Sequence, residues 1–287
     1  MLGLASWEMH LSKRIFVSTL PALIALSVTS SVCGANEQKA AFDRAKATDG
    51  GVGMPTPYDK FLALDEVLSK GKVDWAKVAR AYSKAIDTDE FKDTTVAIPL
   101  ALGMRIADGV MTVKAKDAEQ LNRCASDIEK LAKKLGVSDA EMSRGRAVRT
   151  AANKGDWLKV FMELGFFQQD IMKKLTDEKD PTKGTLIVVA GWLQGARYTA
   201  GVVEENYTPA LSNILREPML VKSLAEKVAA LPASVKSTPQ VAKTADALQQ
   251  LGKLLDIPTE GTISKDDVHK IVSVTSDAVA EITKAAK

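Results

Sequence analysis

The chain has 287 residues, with 39 Lys and Arg against 36 Asp and Glu, a formal charge of +3, two His and two Cys. So even a balance argues against nucleic acid as a partner, which needs a concentrated basic stripe. The scarcity of imidazole and thiol excludes zinc sites built on them and any internal disulfide framework.

Lys13 and Arg14 lead into an apolar run from Ile15 to Val28, followed by the small residues Ser30, Ser31, Gly34 and Ala35. Basic, then apolar, then small is the layout of a secretory signal peptide, with cleavage after Ala35 or near Gly34. The run of about 14 residues falls short of the roughly 20 that a spanning helix needs, and Pro21 interrupts it. A retained anchor is the first alternative. Lipid attachment through Cys33 is the second, although Val32 and Ser30 stand where a lipoprotein signal carries a small and an aliphatic residue. Met9 opens a tidier signal than Met1. Removing residues 1–35 takes away Lys13, Arg14 and Glu8, keeps the charge nearly even, and leaves one cysteine, Cys124, and one histidine, His269. No membrane span is expected in the remaining chain, which is long enough for a well-buried core.

Residues 37–46 predict a short helix capped by Asn36, and residues 49–57 a glycine- and proline-rich linker. From Tyr58 an α-helical domain is expected to residue 287, with a sub-boundary that can be drawn near 206–217. Phe61, Leu64, Val67 and Leu68 form one helical stripe, ended by Gly71. Asp74 caps a helix carrying Trp75, Val78, Ala79, Tyr82 and Ile86 on one face. Residues 91–113 are apolar nearly all round, which predicts a buried central helix kinked at Pro99. Residues 116–135 turn Leu121, Cys124, Ile128, Leu131 and Leu135 inward, and Gly136 stops them. Ser138 and Glu141 form a capping box for a helix to about residue 154. Gly155 and Asp156 start another, with Trp157, Val160, Phe161, Leu164, Phe167, Ile171 and Leu175 at helical spacing. A loop over 176–184 precedes a second apolar helix over 185–205. Within it Leu186 to Val189 favour strand by propensity, but no partner strand is visible. A short helix at 209–215 follows. Residues 218–231 and 240–257 predict an antiparallel pair joined by 232–239. Ser264 and Asp267 cap the last helix, with Val268, Ile271, Val272, Thr275, Val279 and Ile282 inward. The expected class is all-α: stacked antiparallel helical hairpins, solenoid-like, around two apolar central helices.

The segment from Asp74 through Trp75, Ala79, Tyr82, Lys84 and Ala85 to Ile86 resembles the second helix of a tetratricopeptide repeat. Gly155, Asp156, Trp157 and Lys159 echo its opening. Asp65, Glu66 and Ser69 depart from the family pattern, and the two echoes are not in tandem. The resemblance implies stacked helical hairpins and a partner-binding concave surface.

The least ordinary stretch is Gly191-Trp192-Leu193-Gln194-Gly195-Ala196-Arg197-Tyr198. Gly191, Gly195 and Gly201 allow another backbone to approach. Gln194, Arg197 and Tyr198 fall at i, i+3 and i+4, and polar groups in an apolar helix need partners. Arg105 and Asp108, at i and i+3 of the other apolar helix, are the candidates. These groups either lock the two helices in register or floor a ligand pocket where Arg197 meets an anion. Candidate ligand-binding residues are therefore Arg105, Asp108, Trp192, Gln194, Arg197 and Tyr198.

A hydrolase with a histidine base would have to use His269, which reads as a solvated helix residue. No paired-carboxylate constellation stands out, and no cofactor or metal is expected. Arg144, Arg146 and Arg149 read as a solvated basic face. Asn206-Tyr207-Thr208 matches a glycosylation acceptor but runs directly into Pro209. The expected function is that of an exported, non-enzymatic helical protein of the cell envelope, binding another envelope protein through a helical surface. The alternative is a periplasmic binding protein or enzyme for a small anionic ligand near Arg197.

Overall fold

The computed structural model describes residues 64, 66, 73–138, 143–160, 162–164, 166, 181–258 and 260–284, all within one unit, Met54–Lys287. The fold is all-α as expected, and no strand occurs among the described residues. The signal-like segment 1–35, the helix and linker over 36–57 and most of the helix expected after Tyr58 lie outside the described residues. So does Glu141 of the expected capping box.

Helix α1 (Trp75–Tyr82) starts where Asp74 accepts the Lys77 N–H at 2.9 Å, and it buries Trp75, Val78 and Ala79. It was expected to run to Ile86 but stops at Tyr82, where Ser83 is extended. The cause is tertiary: the carbonyls of Tyr82 and Lys84 serve side chains from elsewhere.

Helix α2 (Ala97–Ala115) begins later than residue 91 because Asp93 builds its start. Asp93 Oδ1 accepts from Thr95 N–H at 2.8 Å, and Oδ2 accepts from Val96 and Ala97 N–H at 3.1 and 3.2 Å. Its carbonyl accepts from Ile98 N–H at 2.9 Å. Pro99 thus falls in the first turn, where an N–H has no helical acceptor to lose, so the expected kink has no cause. Every residue from Ala97 to Val113 is buried.

Helix α3 (Ala118–Lys134) is capped by Asp117, which accepts from Gln120 N–H at 2.9 Å. It turns Leu121, Cys124, Ile128 and Leu131 inward, and Gly136 ends it with φ +84°. Lys134 Nζ reaches back to the Thr88 and Phe91 carbonyls at 2.6 and 3.0 Å, tying the loop before α2 to the end of α3.

Helix α4 (Ser143–Asn153) corrects the reading of the arginine cluster. Arg149 donates to both oxygens of Glu129 on α3 at 2.6 Å. Arg144 lies 3.5 Å from Glu163 and 4.9 Å from the Phe166 ring centre, while Arg146 is exposed. A helix spaced to bury Val148, Ala151 and Ala152 necessarily aims some of its arginines at its neighbours. Beyond Gly155 (φ +70°), Asp156 accepts from Lys159 N–H at 3.2 Å, and residues 157–160, 162–164 and 166 are helical.

Helix α5 (Pro181–Glu205) starts four residues before the expected position, inside the predicted loop. A proline with a preset φ suits a helix's first position. Residues 186–189 are helical, so strand propensity is overridden. The helix has the length and apolarity to cross a bilayer, yet 89% of its apolar window is buried inside the protein, as in a core helix. It packs on α2 with the backbones nearly touching. A Cβ on Gly103 would stand 2.0 Å from the Ile187 carbonyl oxygen, and one on Gly191 would stand 3.2 Å from the Gly103 oxygen. Side chains are excluded at such a crossing.

The chain continues through α6 (Pro209–Ser212), a 3-10 turn (Asn213–Leu215), α7 (Pro218–Ala229), α8 (Ala233–Lys236), α9 (Pro239–Leu255) and α10 (Lys265–Ile282). Helices α7 and α9 pack together as expected, but the connection between them holds the short helix α8. Ser264 Oγ accepts from Asp267 N–H at 3.1 Å to begin α10. Val268, Ile271, Thr275, Val279 and Ile282 then pack it onto α5 and α9, with Val272 half-buried.

Candidate functional site

Asp108 is where the two central helices exchange polar contacts. It lies on α2 in a stretch where everything else but Arg105 is apolar or small, and both carboxylate oxygens are used. Oδ2 accepts from Arg105 Nη1 at 2.5 Å, one turn earlier on the same helix. Oδ1 accepts from Gln194 Nε2 at 2.6 Å and from the Tyr198 hydroxyl at 2.6 Å, both on α5. Arg105 Nη2 continues to Asp127 of α3 at 2.8 Å, and Nη1 also reaches the Lys84 carbonyl at 3.2 Å. Arg105, Asp108, Gln194 and Tyr198 are all at most 2% exposed. The arrangement is a buried set of charge-assisted hydrogen bonds joining α2, α3, α5 and the segment after α1, in which Arg105 Nε and Gln194 Oε1 find no partner.

The electrostatics follow from burial. For Arg105, desolvation works against the charge, but Asp108, with Cys124 and Asp127, outweighs it and holds the guanidinium protonated. Burial and then the Asp108 carboxylate push the Tyr198 phenol well above its ordinary range, so it stays a donor. Asp127 is half-buried; desolvation raises its carboxyl pKa, opposed by Arg105.

Arg197 does not join Asp108. Its Nη1 donates to the Tyr82 carbonyl at 3.0 Å, its Nε to Ser276 Oγ on α10 at 3.1 Å, and its guanidinium lies 5.1 Å from the Tyr82 ring centre. Gln194 and Tyr198 are a helical i, i+4 pair and share a direction; Arg197 is rotated from Tyr198 by about 100° and faces α1 and α10 instead. Desolvation lowers its pKa, partly offset by Tyr198, Asp108 and Tyr82. Trp192 points elsewhere again, its indole N–H donating to buried Glu217 Oε2 at 3.2 Å. Of the six sequence-expected residues the structure therefore brings together Arg105, Asp108, Gln194 and Tyr198. It places Arg197 beside them through Tyr82, and Trp192 on a separate contact.

Sequence reading missed Tyr82, Asp127, Ser276 and Glu217. Tyr82 meets Tyr198 edge-on at 5.9 Å between ring centres, and its hydroxyl lies where a Cβ of Gly201 would stand. The signal for Asp127 was its place three residues after inward-facing Cys124, on the edge of a buried stripe. His269 is exposed on α10, with Nδ1 2.6 Å from Glu204 Oε1. Among the described residues no group of three His, Cys, Asp or Glu is placed to hold a metal ion.

No protein family, curated protein or solved structure matches the chain.

Two consequences are measurable. Arg197→Ala removes two hydrogen bonds and a ring contact but leaves Asp108 fully paired. It is expected to cost about 1–2 kcal/mol, less than loss of a buried ion-pair member. Chemical denaturation checks this, and a loss above that of an Arg105 variant would contradict it. Cys124 is fully buried, and burial, then opposing and reinforcing charges led by Arg105 and Asp108, push its thiol up to about 12. In native protein it is expected to resist alkylation at neutral pH and to react on unfolding. Rapid native labelling, read by mass spectrometry, would refute that.

Proposed function

We propose that this is an exported, non-enzymatic helical protein that binds a protein partner through its helical surface. One observation supports the non-catalytic reading above others: the two central helices use both oxygens of the Asp108 carboxylate between them, leaving only Arg105 Nε and Gln194 Oε1 of this centre without a partner. All donors around Asp108 come from the chain itself, and the four residues of that centre are out of contact with solvent. A ligand site keeps convergent polar groups accessible to its ligand. The order Lys13–Arg14, apolar run and small residues supports export.

A second reading has its own support. Arg197 is half-buried, and among the described residues it makes no ion pair, so a small anion bound there would find a partly desolvated cation. Crosslinking in native envelopes, followed by reconstitution with the purified crosslinked protein, tests the first reading; a stoichiometric complex is expected. Saturable binding of phosphate or a small carboxylate, abolished by Arg197→Ala, would replace it with the second. N-terminal sequencing of the exported form is expected to begin near residue 35 or 36, and a retained N-terminus in the membrane pellet would overturn export.

A further inference from the structure

The segment that leaves α1 is held by side chains of other helices. The Tyr82 carbonyl accepts from Arg197 Nη1 at 3.0 Å and from Gln194 Nε2 at 3.4 Å, both on α5. Two residues on, the Lys84 carbonyl accepts from Arg105 Nη1 of α2 at 3.2 Å, and the same nitrogen lies 3.4 Å from Ser83 Oγ. With the Tyr82 ring set against Tyr198 and the Arg197 guanidinium, α1 and its exit cover one side of the Asp108 centre. The packing of α1 itself is slight. Trp75, Val78 and Ala79 are its buried residues, out of eight, and its Lys77–Glu205 pair is exposed and contributes little. Eight residues are too few to hold a helix in water without packing.

We propose that α1 and the residues to Lys84 form a latch that lifts off α2 and α5 while the rest of the fold stays intact. Water replaces most of what lifting breaks. Arg105 keeps Asp108 and Asp127, Gln194 keeps Asp108, and Arg197 keeps Ser276, so the central helices strand no further donor in the core. The hinge is set as well. Lys134 of α3 holds the Thr88 and Phe91 carbonyls, so the motion ends at the exposed residues Ala85 and Asp87. A unit with few buried apolar groups opens at a lower free energy than the whole fold. Lifted, the latch leaves a cleft where Arg105, Gln194, Arg197 and Tyr198 meet solvent, which gives small solutes a route to this centre. That holds whatever partner the protein binds.

A thiol under the latch reports its opening. In the full chain with Cys33→Ser, the Val78→Cys thiol is expected to be alkylated at least about tenfold faster than buried Cys124, at a rate nearly flat in low urea. Val241→Ala separates partial from global opening, because it lies on α9, which packs on α7 and α10. It weakens the closed and lifted states alike, so it should speed labelling of Cys124 and leave the Val78→Cys thiol unchanged. Native-state hydrogen exchange reads the unsubstituted chain. The Val78 and Ser83 amides, bonded to the Asp74 and Ala79 carbonyls, should exchange together, at least about tenfold faster than those of α2 and α5. Equal labelling of the two thiols, or a Val241→Ala change that speeds both, overturns the proposal. So does exchange of either amide only in step with α2 and α5.

Discussion

Asp108→Ala is expected to destabilise the fold by about 3–5 kcal/mol, the cost of removing one member of a buried ion pair. Arg105 would keep Asp127 but lose its 2.5 Å contact, and Gln194 and the Tyr198 hydroxyl would each lose a 2.6 Å bond to the carboxylate. A hydrogen bond to a charged group is worth about 1.5–3 kcal/mol, so the losses stack on one site. Against a total stability of about 5–15 kcal/mol this is a large fraction. Urea unfolding followed by circular dichroism measures it, and a loss under about 1 kcal/mol would mean the pair is not essential. Replacing both charges, Arg105→Met with Asp108→Leu, should cost less than the two single changes together, because the two fully buried charges then leave together and only half-buried Asp127 loses its guanidinium.

The second large effect is steric. Gly103→Ala puts a methyl 2.0 Å from the Ile187 carbonyl oxygen, and the obstacle is backbone, which cannot swing aside like a side chain. Helices α2 and α5 would have to separate, disturbing the apolar packing and the Asp108 contacts together. The expected cost is about 3 kcal/mol or more, at the upper end of overpacking. Gly109→Ala on the same helix is the contrast. Its Cβ would meet Leu164 Cδ2 at 3.6 Å and Ile128 Cδ1 at 3.7 Å, which is ordinary contact. Removing a mid-helix glycine should then stabilise by up to about 1 kcal/mol. Equal melting temperatures for the two variants would refute the close crossing.

What the sequence made legible follows from contrast. Helices α2 and α5 stand out because they are apolar all round, and Asp108, Gln194 and Tyr198 stand out because polar groups there are conspicuous. Asp127 and Ser276 do not stand out in this way: each sits on an amphipathic helix, where a polar residue needs no explanation, and only its place beside a buried stripe marks Asp127. The end of α1 was not legible either. Nothing local stops it at Tyr82; Gln194 and Arg197, 112 and 115 residues away, take the Tyr82 carbonyl. The start of α2 was written in Asp93, but one carboxylate gathering three N–H groups looks like any loop aspartate before the fold exists. Arg197 was grouped with Gln194 and Tyr198 because i, i+3 and i+4 count as one face, although the arc between Arg197 and Tyr198 is wide enough to send them to different helices.

The groups that Asp108 gathers from α5 lie 86 and 90 residues further along the chain. Closing so long a loop has an entropic cost that contacts within one helix do not share, so the individual helices can form before this polar cluster does. The cluster therefore belongs to the descent from the transition state to the native state, with small φ-values at Asp108, Gln194 and Tyr198. Weakening it should leave the refolding limb of a chevron nearly unchanged and steepen the loss of native molecules with time through faster unfolding. Asp108 would then govern how long the folded protein lasts more than how quickly it forms.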